Sequence, residues 1–280
     1  MSTSRIRSSG WFLAIGWLML LMTACVAIEG PAVAVQHAPD TPIRLGTTLL
    51  TAQTTGNVFS VVWSPNGKYL ALGGAGGIMQ VRSAETGTVL FTLHDHADNV
   101  WALAWSPDSA RLASASWDHT VQVWNAATGQ HLLTYRGHSD LVLAVAWSPD
   151  GIHIASAGSD DTVQVWDAVT GKTELTYHGH TNTVEALAWS PDGTRIASAS
   201  FDHTVQVWNA TSGDRLLTYR GHTNRVWAVT WSPDGTHIAS GSEDRTVQVW
   251  DASIGRTNVI YRGHMNGVQA VAWSPNGMYI

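Results

Sequence analysis

Thr162-Val163-Gln164-Val165-Trp166 decides the fold, because the stretch is not unique. TVQVW occurs with its Trp at 124, 166, 208 and 250, a step of 42 residues each time. Ahead of it stands Gly-His, with its His at 138, 180, 222 and 264, again 42 apart. One further step back lands on His96, preceded by Asp95 instead of Gly. Between the two landmarks, AWSPD or a near copy recurs with its Trp at 63, 105, 147, 189, 231 and 273. Self-similarity at a fixed period of this length marks a stacked repeat architecture.

One unit reads as four short strands. After His138, residues 142–147 are apolar and rich in Val, as a buried strand is. Ser148-Pro149-Asp150-Gly151 is a turn, because Pro presets φ and Gly accepts a positive φ. Residues 152–157 form a second strand, Ser159-Asp160-Asp161 turns the chain, and 162–166 alternate with the period of a strand. A turn at Ala168-Val169-Thr170-Gly171 leads to the last strand, 172–177. Four short strands repeated every 42 or so residues select an all-β propeller of four-stranded blades over a sandwich or barrel.

Gly-His followed by Trp-Asp at the end of the third strand resembles the WD-repeat family, over roughly residues 44–280. Trp166-Asp167 and Trp250-Asp251 keep that ending, while Trp124-Asn125 and Trp208-Asn209 carry Asn instead. The repeats are 54–95, 96–137, 138–179, 180–221, 222–263 and a partial 264–280, within a propeller spanning 43–280. The first is degenerate: Arg82 stands at the Trp position and Gly76 at the Asp position. Residues 43–50 look like an isolated outer strand. Five blades plus part of a sixth point to a truncated ring of six or seven.

Each full unit carries a His, a Ser, an Asp and a Trp at constant spacing. The sets are His96, Ser114, Asp118 and Trp124; His138, Ser156, Asp160 and Trp166; His180, Ser198, Asp202 and Trp208; and His222, Ser240, Asp244 and Trp250. The resemblance implies a hydrogen-bonded tetrad in every blade. An indole only donates, hydroxyl and imidazole do both, and a carboxylate only accepts, so the four can chain with every polar atom satisfied. Ser, His and Asp together also suggest hydrolysis. Four identical copies, each locked by a Trp, argue instead for architecture. No phosphate-binding loop, dinucleotide fingerprint or metalloprotease motif is present. The pair His94 and His96 is the one close His spacing of a metal-ligand kind. Neither a metal nor a cofactor is expected.

Where the copies differ, folding does not dictate the residue. Three residues after the His stand Asn99, Leu141, Thr183, Arg225 and Gly267. Five after it stand Trp101, Leu143, Glu185, Trp227 and Gln269. Just before the tetrad Asp stand Trp117, Ser159, Phe201 and Glu243. The resemblance implies that these columns reach the top face around the channel. Asn99, Trp101, Trp117, Leu141, Leu143, Thr183, Glu185, Phe201, Arg225, Trp227 and Glu243 are therefore the candidate partner-binding residues. Aromatics with an Arg among polar neighbours resemble an interface hot spot.

Composition fits a binding platform. The 280 residues include 15 Trp and carry a formal net charge of -6, so nothing offers the basic face that nucleic acid needs. The single cysteine, Cys25, cannot make an intramolecular disulfide. The opening has Arg5 and Arg7 followed by an uncharged apolar run, which reads as an export signal or membrane anchor over residues 1–28. Met22-Thr23-Ala24-Cys25 resembles a bacterial lipoprotein signal, with Cys25 taking the lipid. An uncleaved anchor and ordinary cleavage near Ala27 are the alternatives. All three place the remainder on the extracytoplasmic face of a bacterial membrane. Residues 29–42 are a Pro/Ala-rich tether. The expectation is a non-enzymatic scaffold that binds an unknown protein or peptide. A sensor fragment of a longer protein and a small-ligand or enzymatic propeller are the competing readings.

Overall fold

The computed structural model describes residues 56–280, and these form five four-stranded antiparallel sheets. The first holds β1 (Val58–Trp63), β2 (Tyr69–Gly74), β3 (Met79–Ser83) and β4 (Val89–Leu93). The second holds β5 (Val100–Trp105), β6 (Arg111–Ser116), β7 (Val121–Asn125) and β8 (His131–Tyr135). The third holds β9 (Val142–Trp147), β10 (His153–Gly158), β11 (Val163–Asp167) and β12 (Thr173–Tyr177). The fourth holds β13 (Val184–Trp189), β14 (Arg195–Ser200), β15 (Val205–Asn209) and β16 (Arg215–Tyr219). The fifth holds β17 (Val226–Trp231), β18 (His237–Ser242), β19 (Val247–Asp251) and β20 (Thr257–Tyr261). Each sheet is a meander whose strands pair in chain order. The strands expected in the third unit match within a residue at either end. The signal peptide or membrane anchor expected at 1–28 with Cys25, the tether expected at 29–42 and the strand expected at 43–50 lie outside the described residues.

The first strands line up side by side: β1 packs on β5, β5 on β9, β9 on β13 and β13 on β17. These are the five blades of a propeller. The core lies between blades, in four apolar layers. Trp166 belongs to the layer between the second and third blades, with Val123 and Tyr135 on one side and Val145 and Ile154 on the other. The Val that follows the varied column in every copy (100, 142, 184, 226) is fully buried there. A repeat of this kind cannot cover its own apolar face, so each blade is stabilised by its neighbour.

A second Trp column pins one blade to the next. The indole of Trp105 donates to Val62 O (3.2 Å), Trp147 to Ala104 O (3.1 Å), Trp189 to Ala146 O (3.3 Å) and Trp231 to Ala188 O (3.0 Å). Trp63 has no described blade before it and is 42% exposed, against 5% for Trp105. At the other end Trp273 is half-buried, with its indole nitrogen lacking an acceptor among the described residues.

The two ends of the array differ from the full copies. The first unit, although degenerate, is a complete four-stranded blade. Arg82 fills the space of the missing Trp: it is buried and donates to Gln80 Oε1 and Gly87 O. Residues 264–280 form no strand, because an innermost strand needs the second strand of its own sheet to pair with. They are held by Val268 N donating to Ser242 O (2.9 Å) and by a turn at Ser274–Gly277.

Candidate functional site

In each of the four full units the Trp, Ser, His and Asp side chains join in one hydrogen-bonded chain. In the third blade Trp166 Nε1 donates to Ser156 Oγ (3.1 Å), Ser156 Oγ bonds His138 Nε2 (2.8 Å), and His138 Nδ1 bonds Asp160 Oδ2 (2.8 Å). Corresponding chains join Trp124–Ser114–His96–Asp118, Trp208–Ser198–His180–Asp202 and Trp250–Ser240–His222–Asp244. The pattern is satisfied when each imidazole donates from Nδ1 to the carboxylate and accepts at Nε2 from the serine hydroxyl. The His96 of the His94–His96 pair is thereby committed to a tetrad.

Electrostatics follow the same pattern. Burial pushes the tetrad carboxyls up, but donors outweigh it. Asp160 is held at about 2 by His138, Thr162 and the Ser139 amide. Asp118, Asp202 and Asp244 are likewise held below the usual carboxylate range by His and Thr donors. His222 is lowered, chiefly by burial.

Ser–His–Asp in this geometry is the hydrogen-bond order of a hydrolase. Here, however, every Ser of the four sets has no accessible surface. Its Oγ already accepts the indole proton, so no carbonyl can approach. The arrangement ties the loop after each outermost strand to the third strand of the next blade.

The varied columns have a structural cause. The register between first and second strands shifts in each blade between Val58 and Ser60, Val100 and Ala102, Val184 and Ala186, and Val226 and Ala228. In the third blade it shifts where Leu143 would pair. Phe59, Trp101, Leu143, Glu185 and Trp227 are thus bulge residues on the innermost strands. A bulge releases one residue from the ladder and re-aims its side chain. β5 and β13, which carry Trp101 and Glu185, both pack on β9.

Some of the predicted contact residues form two groups, one of which Phe59 joins. Phe59, Trp101 and Trp117 make one aromatic cluster. Ring centroids are 5.0 Å apart for Phe59–Trp101, 5.1 Å for Trp101–Trp117 and 6.2 Å for Phe59–Trp117. All three rings are half-buried, and Trp117 Nε1 is buried without an acceptor among the described residues. Glu185 on β13 is half-buried, and burial raises its carboxyl to about 7 while the Trp101 indole opposes the shift. In the second group the Arg225 guanidinium sits 4.7 Å above the Phe201 ring and its Nε is 3.9 Å from Glu243 Oε2.

The remaining candidates divide. Asn99 Oδ1 accepts from the Gly76 amide (3.0 Å), which ties the Gly-rich turn of the first blade to the second. Thr183 and Leu141 present carbonyls to the Phe201 and Ser159 amides. Leu143 is buried, Trp227 is half-buried and Arg225 is exposed. Phe59 was missed by the sequence reading, yet one step of 42 residues back from Trp101 lands on it.

Comparison with protein-family models gives a match to the WD domain, G-beta repeat, at residues 45–81, 87–125, 129–167, 171–209, 213–251 and 255–280. The chain belongs to the WD-repeat family. No curated protein matches it. The matched repeats are offset from the blades: 129–167 contains β8 of one blade and β9, β10 and β11 of the next. One WD repeat therefore spans an inter-blade junction, so the unit that recurs in sequence is the unit that joins blades. WD repeats generally build protein-interaction scaffolds.

Proposed function

We propose that this WD-repeat chain is an exported, membrane-tethered scaffold that binds a protein or peptide at the bulge residues around the propeller axis. The observation that carries the reading is the bulged column. It varies from repeat to repeat, it is free of ladder pairing, and it carries Phe59, Trp101 and Trp227 on innermost strands, the first two clustered with Trp117. A rigid scaffold with varied residues at loop and bulge positions is how binding surfaces are usually made. The protein acts by binding and not by catalysis. The burial of every tetrad Ser supports this, since its one hydrolase-like constellation is sealed. Cys25 and the apolar run before it support a lipid anchor at an extracytoplasmic membrane face.

Two experiments test the reading. Trp101→Ala with Trp227→Ala should abolish capture of a partner crosslinked on native membranes while the thermal transition stays in place. Capture equal to wild type refutes the site. Separately, the intact mass of the native protein should show loss of residues 1–24 and addition of lipid at Cys25. An unmodified Met1 refutes lipidation.

A further inference from the structure

We propose that the first blade is a cover that opens as a unit before any other described blade does, and that its opening uncovers Trp101 and Trp117. The opening is a property of the fold; that the uncovered rings serve a partner rests on the scaffold reading above.

Three of the junctions between neighbouring blades share one arrangement. Between the second and third blades the Tyr135 hydroxyl donates to Gln164 Oε1, and its ring lies flat on Trp166 at 4.4 Å. Tyr177 with Gln206 and Trp208, and Tyr219 with Gln248 and Trp250, repeat this at the next two. At the first junction Leu93 stands where each Tyr stands, so the hydroxyl and the stacked ring are both missing. Gln122 Oε1 is left buried there without a partner among the described residues, which is unfavourable. The polar ties that remain are few. Trp105 Nε1 donates to Val62 O (3.2 Å), as its counterparts do elsewhere. Asn66 N donates to Ser109 Oγ (3.1 Å, part-buried) and Gly76 N to Asn99 Oδ1 (3.0 Å, exposed). The last tie is the ring cluster. Phe59 of the first blade lies 5.0 Å from Trp101 and 6.2 Å from Trp117 of the second, and so covers both. Trp117 Nε1 is buried beneath it without an acceptor among the described residues. Lifting the blade gives water to both orphaned atoms, Gln122 Oε1 and Trp117 Nε1, so separation costs less here than at a latched junction. In an array held by nearest-neighbour interfaces, the weakest interface opens first.

The test is hydrogen exchange of the full chain. A blade that leaves its neighbour bares its apolar face and does not hold its strands alone, so its amides exchange. Amides of β1–β4 should be about tenfold less protected than those of β17–β20, which lie at the other end of the described blades behind a latched junction. The indole N–H of Trp117, assigned in 15N spectra from Trp117→Phe, should exchange as fast as the β1–β4 amides. Leu93→Tyr with Asp95→Gly installs the latch and should slow β1–β4 about fivefold, the factor one buried hydrogen bond supplies, with β9–β20 unchanged. Tyr135→Phe removes a latch hydroxyl and should speed exchange in β5–β8. Equal protection at the two ends would overturn the proposal. So would β1–β4 exchange unmoved by the latch-installing pair, β5–β8 exchange unmoved by Tyr135→Phe, or a Trp117 indole that exchanges more slowly than the first blade. The scaffold reading is tested separately by capture in the Trp101/Trp227 variant, so either can fail while the other stands.

Discussion

The hydroxyl of Tyr177 donates to Oε1 of Gln206 at 2.6 Å, and the two residues belong to neighbouring blades. Tyr135 and Tyr219 make the same bond to Gln164 and Gln248, both at 2.5 Å. Each Tyr ring also stacks on the Trp of the following blade; Tyr177 lies 4.7 Å from Trp208 with the planes 6° apart. The Gln amide donates back to the carbonyl of the Gly in Gly-His, as Gln206 Nε2 does to Gly179 O (3.0 Å). That Gly has a steric reason. A Cβ at position 179 would lie 2.2 Å from the Tyr177 hydroxyl. The latch thus couples three residues of one repeat: Tyr, Gly and Gln.

Tyr177→Phe should destabilise the protein by about 1–3 kcal/mol, because it leaves the buried Gln206 Oε1 without a donor. Chemical denaturation measures it. A change near zero would show that the stacked ring, and not the hydrogen bond, holds the junction.

The first junction lacks the latch. Leu93 stands at the Tyr position, Asp95 at the Gly position, and Gln122 Oε1 is buried without a partner among the described residues. Leu93→Tyr combined with Asp95→Gly should stabilise by about 1 kcal/mol, the net worth of one buried hydrogen bond. Leu93→Tyr alone should gain nothing, since a side chain at position 95 would occupy the space of the new hydroxyl. Additive effects of the two single changes would refute the coupling.

Ser198→Ala should cost about 2–4 kcal/mol. Trp208 Nε1 and His180 Nε2 both lose a buried partner. Thermal unfolding checks it. A hydrolytic activity that vanished at unchanged stability would reverse the architectural reading of the tetrads.

Acid should unfold the protein through its tetrads. Asp160 titrates at about 2 in the fold, against an ordinary 3.8. A depressed carboxyl adds stability that is fully present above its unfolded value and is lost as pH falls through its folded value. The melting temperature should therefore hold to about pH 4 and fall steeply toward pH 2. Asp160→Asn should show a shallower fall in that window.

Glu185 acts in the opposite direction. Burial raises it from 4.5 to about 7, so its ionisation costs stability increasingly as pH rises through that interval. Glu185→Gln should match wild type near pH 4 and melt higher at pH 8. A constant difference across the range would show that the carboxyl does not titrate between those values.

The repeat of 42 residues, the four-strand unit and the four tetrads were legible in the sequence, because periodic apolar runs, turn residues and a constant hydrogen-bonding set are local or strictly spaced. The degenerate first blade was harder to read. Arg82 does the work of a Trp by making its own hydrogen bonds once buried, and its identity alone does not show this. The Tyr–Gly–Gln latch was equally present in the letters, but its meaning depends on which strands face each other across a junction. The varied columns could be picked out as free of the folding requirement. Their contacts could not, since these depend on a bulge in each innermost strand and on the packing that brings Phe59 of one blade to Trp101 and Trp117 of the next. Sequence periodicity determined the blades; packing between blades, a sum of non-local contacts, decided which of their varied residues meet.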